Sequence, residues 1–228
     1  MGIKIWLYGK PFSGKTKFAT EFPKPFVINT DGNAQYFDTP YVLVKNINEF
    51  NEQLKIFAEG KHEYETLVID VLEHIYDFTR EYYLEKFGID HESDEGYGKA
   101  WQAVKEGFWT LILKIASLEK YNIILISHET EYTEKSRTGA EITKFMPAIN
   151  SKVHDRLCGL MQLVGRAYRD DVMLNGEPIS QYLISFGSTT NELSGLRIPL
   201  NSRKIENNYS DFKKSIEVSK KKEEKVNG

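Results

Sequence analysis

The sequence predicts an α/β domain: a mainly parallel sheet with helices on both faces and an antiparallel extension towards the C-terminus. Three observations predict it. Short runs such as "TLVI" (Thr66–Ile69) and "NIILIS" (Asn122–Ser127) are apolar throughout, as strands covered on both faces are. Amphipathic segments alternate with them. The first such strand runs through a glycine-bounded loop straight into a helix.

Taken in order, Ile3–Tyr8, "IKIWLY", is a β-rich apolar run, followed by the loop and a helix that Pro23 and Pro25 bring to an end. Phe26–Asn29 and Tyr41–Val44 read as further strands. Within Asn48–Ala58, Phe50, Leu54, Phe57 and Ala58 share one helical face, and Gly60 follows as a stop. Thr66–Ile69 is a buried strand ending at Asp70, and Leu72–Phe87 reads as a helix. Trp101, Val104, Phe108, Leu111, Ile112, Ile115 and Leu118 trace one face of a long helix expected to end near Tyr121, ahead of the strand Asn122–Ser127. After Lys152 the pattern changes. Leu160–Ala167 and Gln181–Phe186 are strand-like, with Asn175-Gly176 between them as a hairpin signal, so they are expected to extend one edge of the sheet antiparallel. Periodicity fades beyond Asn201. The expected organisation is one domain over 1–201 and a charged tail over 202–228, a short helix or a segment without fixed structure.

Composition narrows the classes. At 228 residues, 40% of them hydrophobic, the chain can bury one sizeable core. The single cysteine, Cys158, excludes an internal disulfide framework, and the first residues read as a strand rather than a leader, which points to a reducing, cytoplasmic setting. No apolar run approaches the ~20 residues that span a bilayer, so no membrane partner is expected. With a net charge of -3, any nucleic-acid binding has to be local. The acidic "DHESDE" (Asp90–Glu95) and the lysine-rich Lys213–Lys225 read as a solvated loop and a solvated end.

The loop carries the chemistry. Gly9, Gly14, Lys15 and Thr16 satisfy G-x-x-x-x-G-K-[ST], with Lys10, Pro11, Phe12 and Ser13 between the glycines and Lys17 after them. Glycines let backbone N–H groups wrap phosphates, the lysine reaches the β/γ oxygens and the hydroxyl binds Mg²⁺. The ligand expected is a nucleoside triphosphate, ATP first, with its Mg²⁺. Such a loop needs an acid at the carboxyl end of a buried strand to hold the metal through water, and Asp70 after "TLVI" fits; the alternative is an N-cap for the following helix. Asp31 in "VINTDGN" is the first candidate for the base that activates water and Glu129 in "LISHE" the second, both at strand ends. Against Asp31 stands the turn preference of Asp-Gly. His128 is a candidate to sense or polarise the γ-phosphate, or a structural histidine. His62, His74, His91 and His154 lack metal-ligand spacing.

The set "GKPFSGKT", "VINTDGN", "LVIDV", "DEGYGKAW", "IILISHE" and the proline of "FMPAIN" resembles, in order and from about Ile3 to Leu200, the small phage P-loop ATPases of the RecA-like class proposed to act in single-strand annealing and recombination. The resemblance implies a RecA-like fold, Asp70 as the Walker B acid, and Asp31 at the place where such enzymes carry a catalytic glutamate. That shortening is a departure that implies slow hydrolysis. It further implies that Glu129–Lys144, "ETEYTEKSRTGAEITK", takes the place of a DNA-gripping loop, with Lys135, Arg137 and Lys144 for phosphates and Tyr132 for a base; an ordinary solvated hairpin is the alternative. Arg197 in "SGLRIPL" becomes a candidate to reach a neighbouring subunit's nucleotide. Single-stranded DNA, self-association, a single-strand-binding protein and a bacterial host cytoplasm follow from the same resemblance. With a first strand expected at residue 3, no N-terminal assembly segment like that of full-length RecA proteins is expected, and self-association is expected to use other surfaces. Two other classes stay open: a small-molecule or nucleotide kinase, which would need a lid with several arginines, and a nucleotide-binding scaffold with little turnover.

Overall fold

A computed structural model describes residues 2–135, 139–174, 177–187, 189 and 191–226, with 151, 174 and 220–226 described by their backbone. The chain divides into two compact units, Met1–Ile3 with Pro23–Ile123, and Lys4–Phe22 with Ile124–Gly228.

The first unit holds β2 (Pro25–Asn29), β3 (Tyr41–Leu43), α2 (Ile47–Glu59), β4 (Thr66–Asp70), α3 (Leu72–Phe87) and α4 (Lys99–Ala116). Strand β2 is central and pairs in parallel with β3 and β4, Asn29 lying opposite Asp70. All five residues of β4 are buried, which explains why it reads as a continuous apolar run. Helix α2 starts where the Asn46 side chain accepts from Asn48 and Glu49 N–H groups, and stops at Gly60 in a left-handed conformation. Helix α4 buries Val104, Phe108, Leu111, Ile112 and Ile115 on one face, with Phe108 edge-on to Tyr76 of α3. Two expectations about it change. It ends at Ala116, before Leu118, because a tight turn feeds the next strand, and Trp101 stays half-exposed in its first turn. The acidic segment is also not wholly solvated: Glu92 is buried and takes both nitrogens of the Arg80 fork, at 2.6 and 3.0 Å, which holds its carboxyl below the usual carboxylate range.

The second unit holds β1 (Lys4–Gly9), α1 (Lys15–Thr20), most of β5 (Asn122–Lys135), β6 (Glu141–Pro147), α5 (His154–Leu160), β7 (Leu163–Leu174), β8 (Glu177–Ser185), β9 (Gly195–Leu196), β10 (Lys204–Glu206) and α6 (Tyr209–Val226). Its strand order is β10-β8-β7-β1-β5, with β6 on β5 and β9 on β7. Strand β7 pairs with β1 in parallel, Ile5 opposite Leu163 and Tyr8 opposite Arg166, so the antiparallel extension begins one strand later, with β8 and then β10. Leu160 belongs to α5, not to the strand. The hairpin signal Asn175-Gly176 lies outside the described residues. Both β5 and β7 run on as two-stranded ribbons, β5 with β6 from Glu129 to Lys135 and β7 with β8 as far as Leu174. Helix α6 docks through Phe212, whose ring lies 5.7 Å from Phe18 and 5.6 Å from Phe22 around α1. Among the described residues no helix is long and apolar enough to cross a membrane.

Candidate functional site

The glycine-bounded loop leaves the carboxyl end of β1 and is built by close approach. Gly9 lies against β7, where a Cβ would sit 2.1 Å from the carbonyl oxygen of Ala167. Gly14 precedes α1 at φ 84, a conformation that suits glycine, and no side chain caps the helix after it. Phe12 adopts φ 63 although it is not glycine, at a cost of about 1–2 kcal/mol, and its ring is 94% exposed. Strain at an exposed aromatic on a binding loop is a feature that packing does not explain. Lys10, Pro11 and Lys17 are exposed, Thr16 half-buried. Lys15 is 7% exposed, and its ammonium donates to the carbonyls of Gly9 and Lys10 at 2.8 and 2.9 Å. The Ser13 hydroxyl is buried without a partner, and the Ser13 carbonyl accepts from the Asn207 amide at 2.7 Å. These residues fit a polyphosphate: glycines where a side chain would not fit, a buried cation spanning the loop and an orphaned hydroxyl inside it.

Beside the loop, in the same unit, Glu129 is not a free base. Its side chain is 1% exposed and binds the Arg166 fork by both oxygens, at 2.7 and 3.1 Å. Burial opposes the charge on Arg166, but the bonds from Glu129 and the charge of Glu192, 3.6 Å away, more than offset it. The guanidinium also stacks 3.6 Å from the Phe145 ring centroid. Tyr8 joins the group by donating to the Phe145 carbonyl at 2.9 Å; burial, then Glu192, pushes its phenol well above the ordinary value. His128 is half-buried, and its carbonyl accepts from Ala148. The loop touches the β5–β6 ribbon directly through Lys10 and Glu131, 2.6 Å apart but exposed, so the pair contributes little stability.

The segment expected as a DNA loop is this ribbon. Tyr132 projects at 52% exposure and Lys135 is exposed, whereas Lys144 is paired with Glu134 at 2.6 Å. Arg137 lies outside the described residues. Arg197 is exposed on β7's partner side, its N–H donating to Gln162 at 2.8 Å. Leu196 pairs with Leu163, which is level with Ile5, so Arg197 stands at the opposite end of β1 from the loop of its own chain.

In the first unit Asp70 is 3% exposed at the end of β4, and its carbonyl accepts from Thr30 at 2.7 Å. Its side chain is not the helix cap, because the N-cap of α3 is Val71, with no side-chain hydrogen bond. Asp31 is held in a turn: Asn29 and Asn33 side chains donate to it at 2.8 and 2.6 Å and the Asn33 N–H at 3.0 Å. Its two oxygens are thus committed to three donors of its own turn.

Sequence reasoning missed Arg166 and Asn207. A charge inside the apolar run "LVGRAY" was a signal for the first, since a buried strand carries a charge only when it is paired. Nothing in "ENNYSD" marked the second. No curated protein matches the chain. A family model described as an AAA domain matches residues 1–198.

Proposed function

Because the chain belongs to the AAA domain family, whose members carry nucleotide-binding P-loop NTPase domains, we propose that this protein binds and hydrolyses ATP with Mg²⁺ and acts on single-stranded DNA in recombination or annealing. The observation that carries the nucleotide part is the loop itself, with Lys15 buried across the carbonyls of Gly9 and Lys10. When bound, the metal would supply charge neutralisation on the phosphates; Thr16 of the loop is the residue proposed to hold it. Lys15 positions the phosphates, and the loop N–H groups bind them. The DNA part is supported by the order of motifs and by the exposed Tyr132 on a ribbon that also carries Lys135.

A second reading, a nucleotide-dependent binding module with slow turnover, is favoured by one observation. Both carboxylates considered as bases are engaged, Asp31 by three donors and Glu129 by Arg166. The test is ATP hydrolysis by purified protein with Mg²⁺, with and without a single-stranded oligonucleotide, at two salt concentrations. Turnover raised by DNA, an effect that fades with salt, and loss of both in folded Lys15→Ala are the expected results. Turnover indifferent to DNA would remove the DNA reading, tight binding without turnover would leave the module, and turnover retained in Lys15→Ala would remove the loop from the mechanism.

A further inference from the structure

We propose that Asn207, together with Tyr182, reads the base of the nucleotide and selects a 6-amino over a 6-oxo purine; this rests on the nucleotide-binding reading above. Asn207 follows β10 and is 8% exposed. Its backbone N–H donates to the Tyr182 carbonyl at 2.9 Å, and its Nδ2 donates to the Ser13 carbonyl inside the loop at 2.7 Å. That carbonyl can only accept, so the carboxamide cannot be turned over, and the atom left without a partner is the acceptor Oδ1. A buried acceptor with no donor is costly, and a ligand that brings a donor relieves the cost.

The place is right for a base. A Cβ on Gly14 would lie 2.7 Å from the Asn207 amide and 3.7 Å from the Tyr182 ring, so both residues border the first turn of the phosphate-binding helix. Tyr182 is 44% exposed and offers a flat surface for stacking. It stands on the ribbon side shared with Ile184, opposite Arg169 across the strand pair. Oδ1 is enclosed, so on this proposal a bound base reaches it by displacing side chains around it. An acceptor at that point attracts the exocyclic amino group of adenine and repels the carbonyl that hypoxanthine or guanine carries there.

The probes are ATP and ITP, which differ at the C6 edge of the base, competed in Mg²⁺ against a fluorescent ATP analogue. Wild-type protein is expected to prefer ATP on the order of ten-fold. Asn207→Leu is expected to bring the ratio to about one, whatever it does to both affinities through the lost Ser13 bond; a purely structural support would lower both and keep the ratio. Tyr182→Leu is expected to weaken both nucleotides and Tyr182→Phe to spare them. A wild-type ratio near one, with Lys15→Ala still abolishing binding, overturns this inference and leaves the nucleotide reading standing. So does an unchanged ratio in folded Asn207→Leu, and if that variant does not fold, the wild-type ratio and the Tyr182 pair still decide. Failure of wild-type protein to bind either nucleotide overturns the nucleotide reading itself.

Discussion

Arg166 holds Glu129 by two hydrogen bonds where the carboxylate is 1% exposed, with Glu192 3.6 Å from the same guanidinium. Removing one partner leaves a buried charge with nothing to offset its desolvation. Arg166→Ala is therefore expected to cost about 3–5 kcal/mol in urea unfolding, and the double variant Arg166→Ala with Glu129→Gln to recover only the part owed to Glu129, because Glu192 also loses its cation. A loss under about 1 kcal/mol in the single variant would mean that Glu129 finds water or another cation, and would restore it as a candidate base. The contrast with the loop shows what sequence can reveal at this scale. Gly9, Gly14, Lys15 and Thr16 are legible because their chemistry lies within eight consecutive positions, each with a stated reason. Glu129 and Arg166 are 37 residues apart, and nothing local says that one neutralises the other.

At the scale of elements, α6 shows where periodicity misleads. Its lysine-rich sequence reads as a solvated end, yet Phe212 is 1% exposed and Ile216 also buried. One buried aromatic suffices when it meets a ready cluster, and Phe18, Phe22, Phe186 and Tyr209 all lie within 6.4 Å of the Phe212 ring. Phe212→Ala is expected to destabilise the protein by about 3–5 kcal/mol in the same unfolding measurement, because truncation opens a cavity among rings that cannot collapse onto it. A cost below about 1 kcal/mol would show that α6 is not docked on α1 in solution. Strands β2 and β4 and helices α2 and α3 are legible to within a residue or two, because their apolar patterns match what covers them. The outer half of β5 is legible only as the hairpin alternative to a loop, not from its pattern. Glu129–Lys135 pairs with Glu141–Pro147 through backbone bonds while facing largely to solvent, so polar side chains there carry no alternation to read.

For the molecule as a whole, the mainly parallel α/β class is legible from composition and alternation, whereas the pH range of stability is set by groups whose burial the sequence does not announce. His154 is 5% exposed, donates through Nε2 to the Ile149 carbonyl at 3.0 Å and lies edge-on to Trp6. Burial lowers its pKa from 6.5, against a partial pull upward from its backbone bonds and Asp155. As pH falls through 6.5 the unfolded chain takes up a proton that the folded chain still refuses, so stability falls with pH over that interval. At the alkaline side burial pushes the Cys158 thiol from 9.0 up to about 11, and Tyr8 is pushed up as well. There the unfolded chain releases protons first, and stability falls as pH rises from 9.0 towards 11. The melting temperature is therefore expected to be level between about pH 7 and 8.5 and to decline on both sides. His154→Gln, which keeps a donor for Ile149 but cannot charge, is expected to flatten the decline between pH 6.5 and about 5, and Cys158→Ala to soften the alkaline one. An acid limb unchanged by His154→Gln would transfer it from this histidine to the carboxylates, whose pairs, such as Glu92 with Arg80, break only at lower pH.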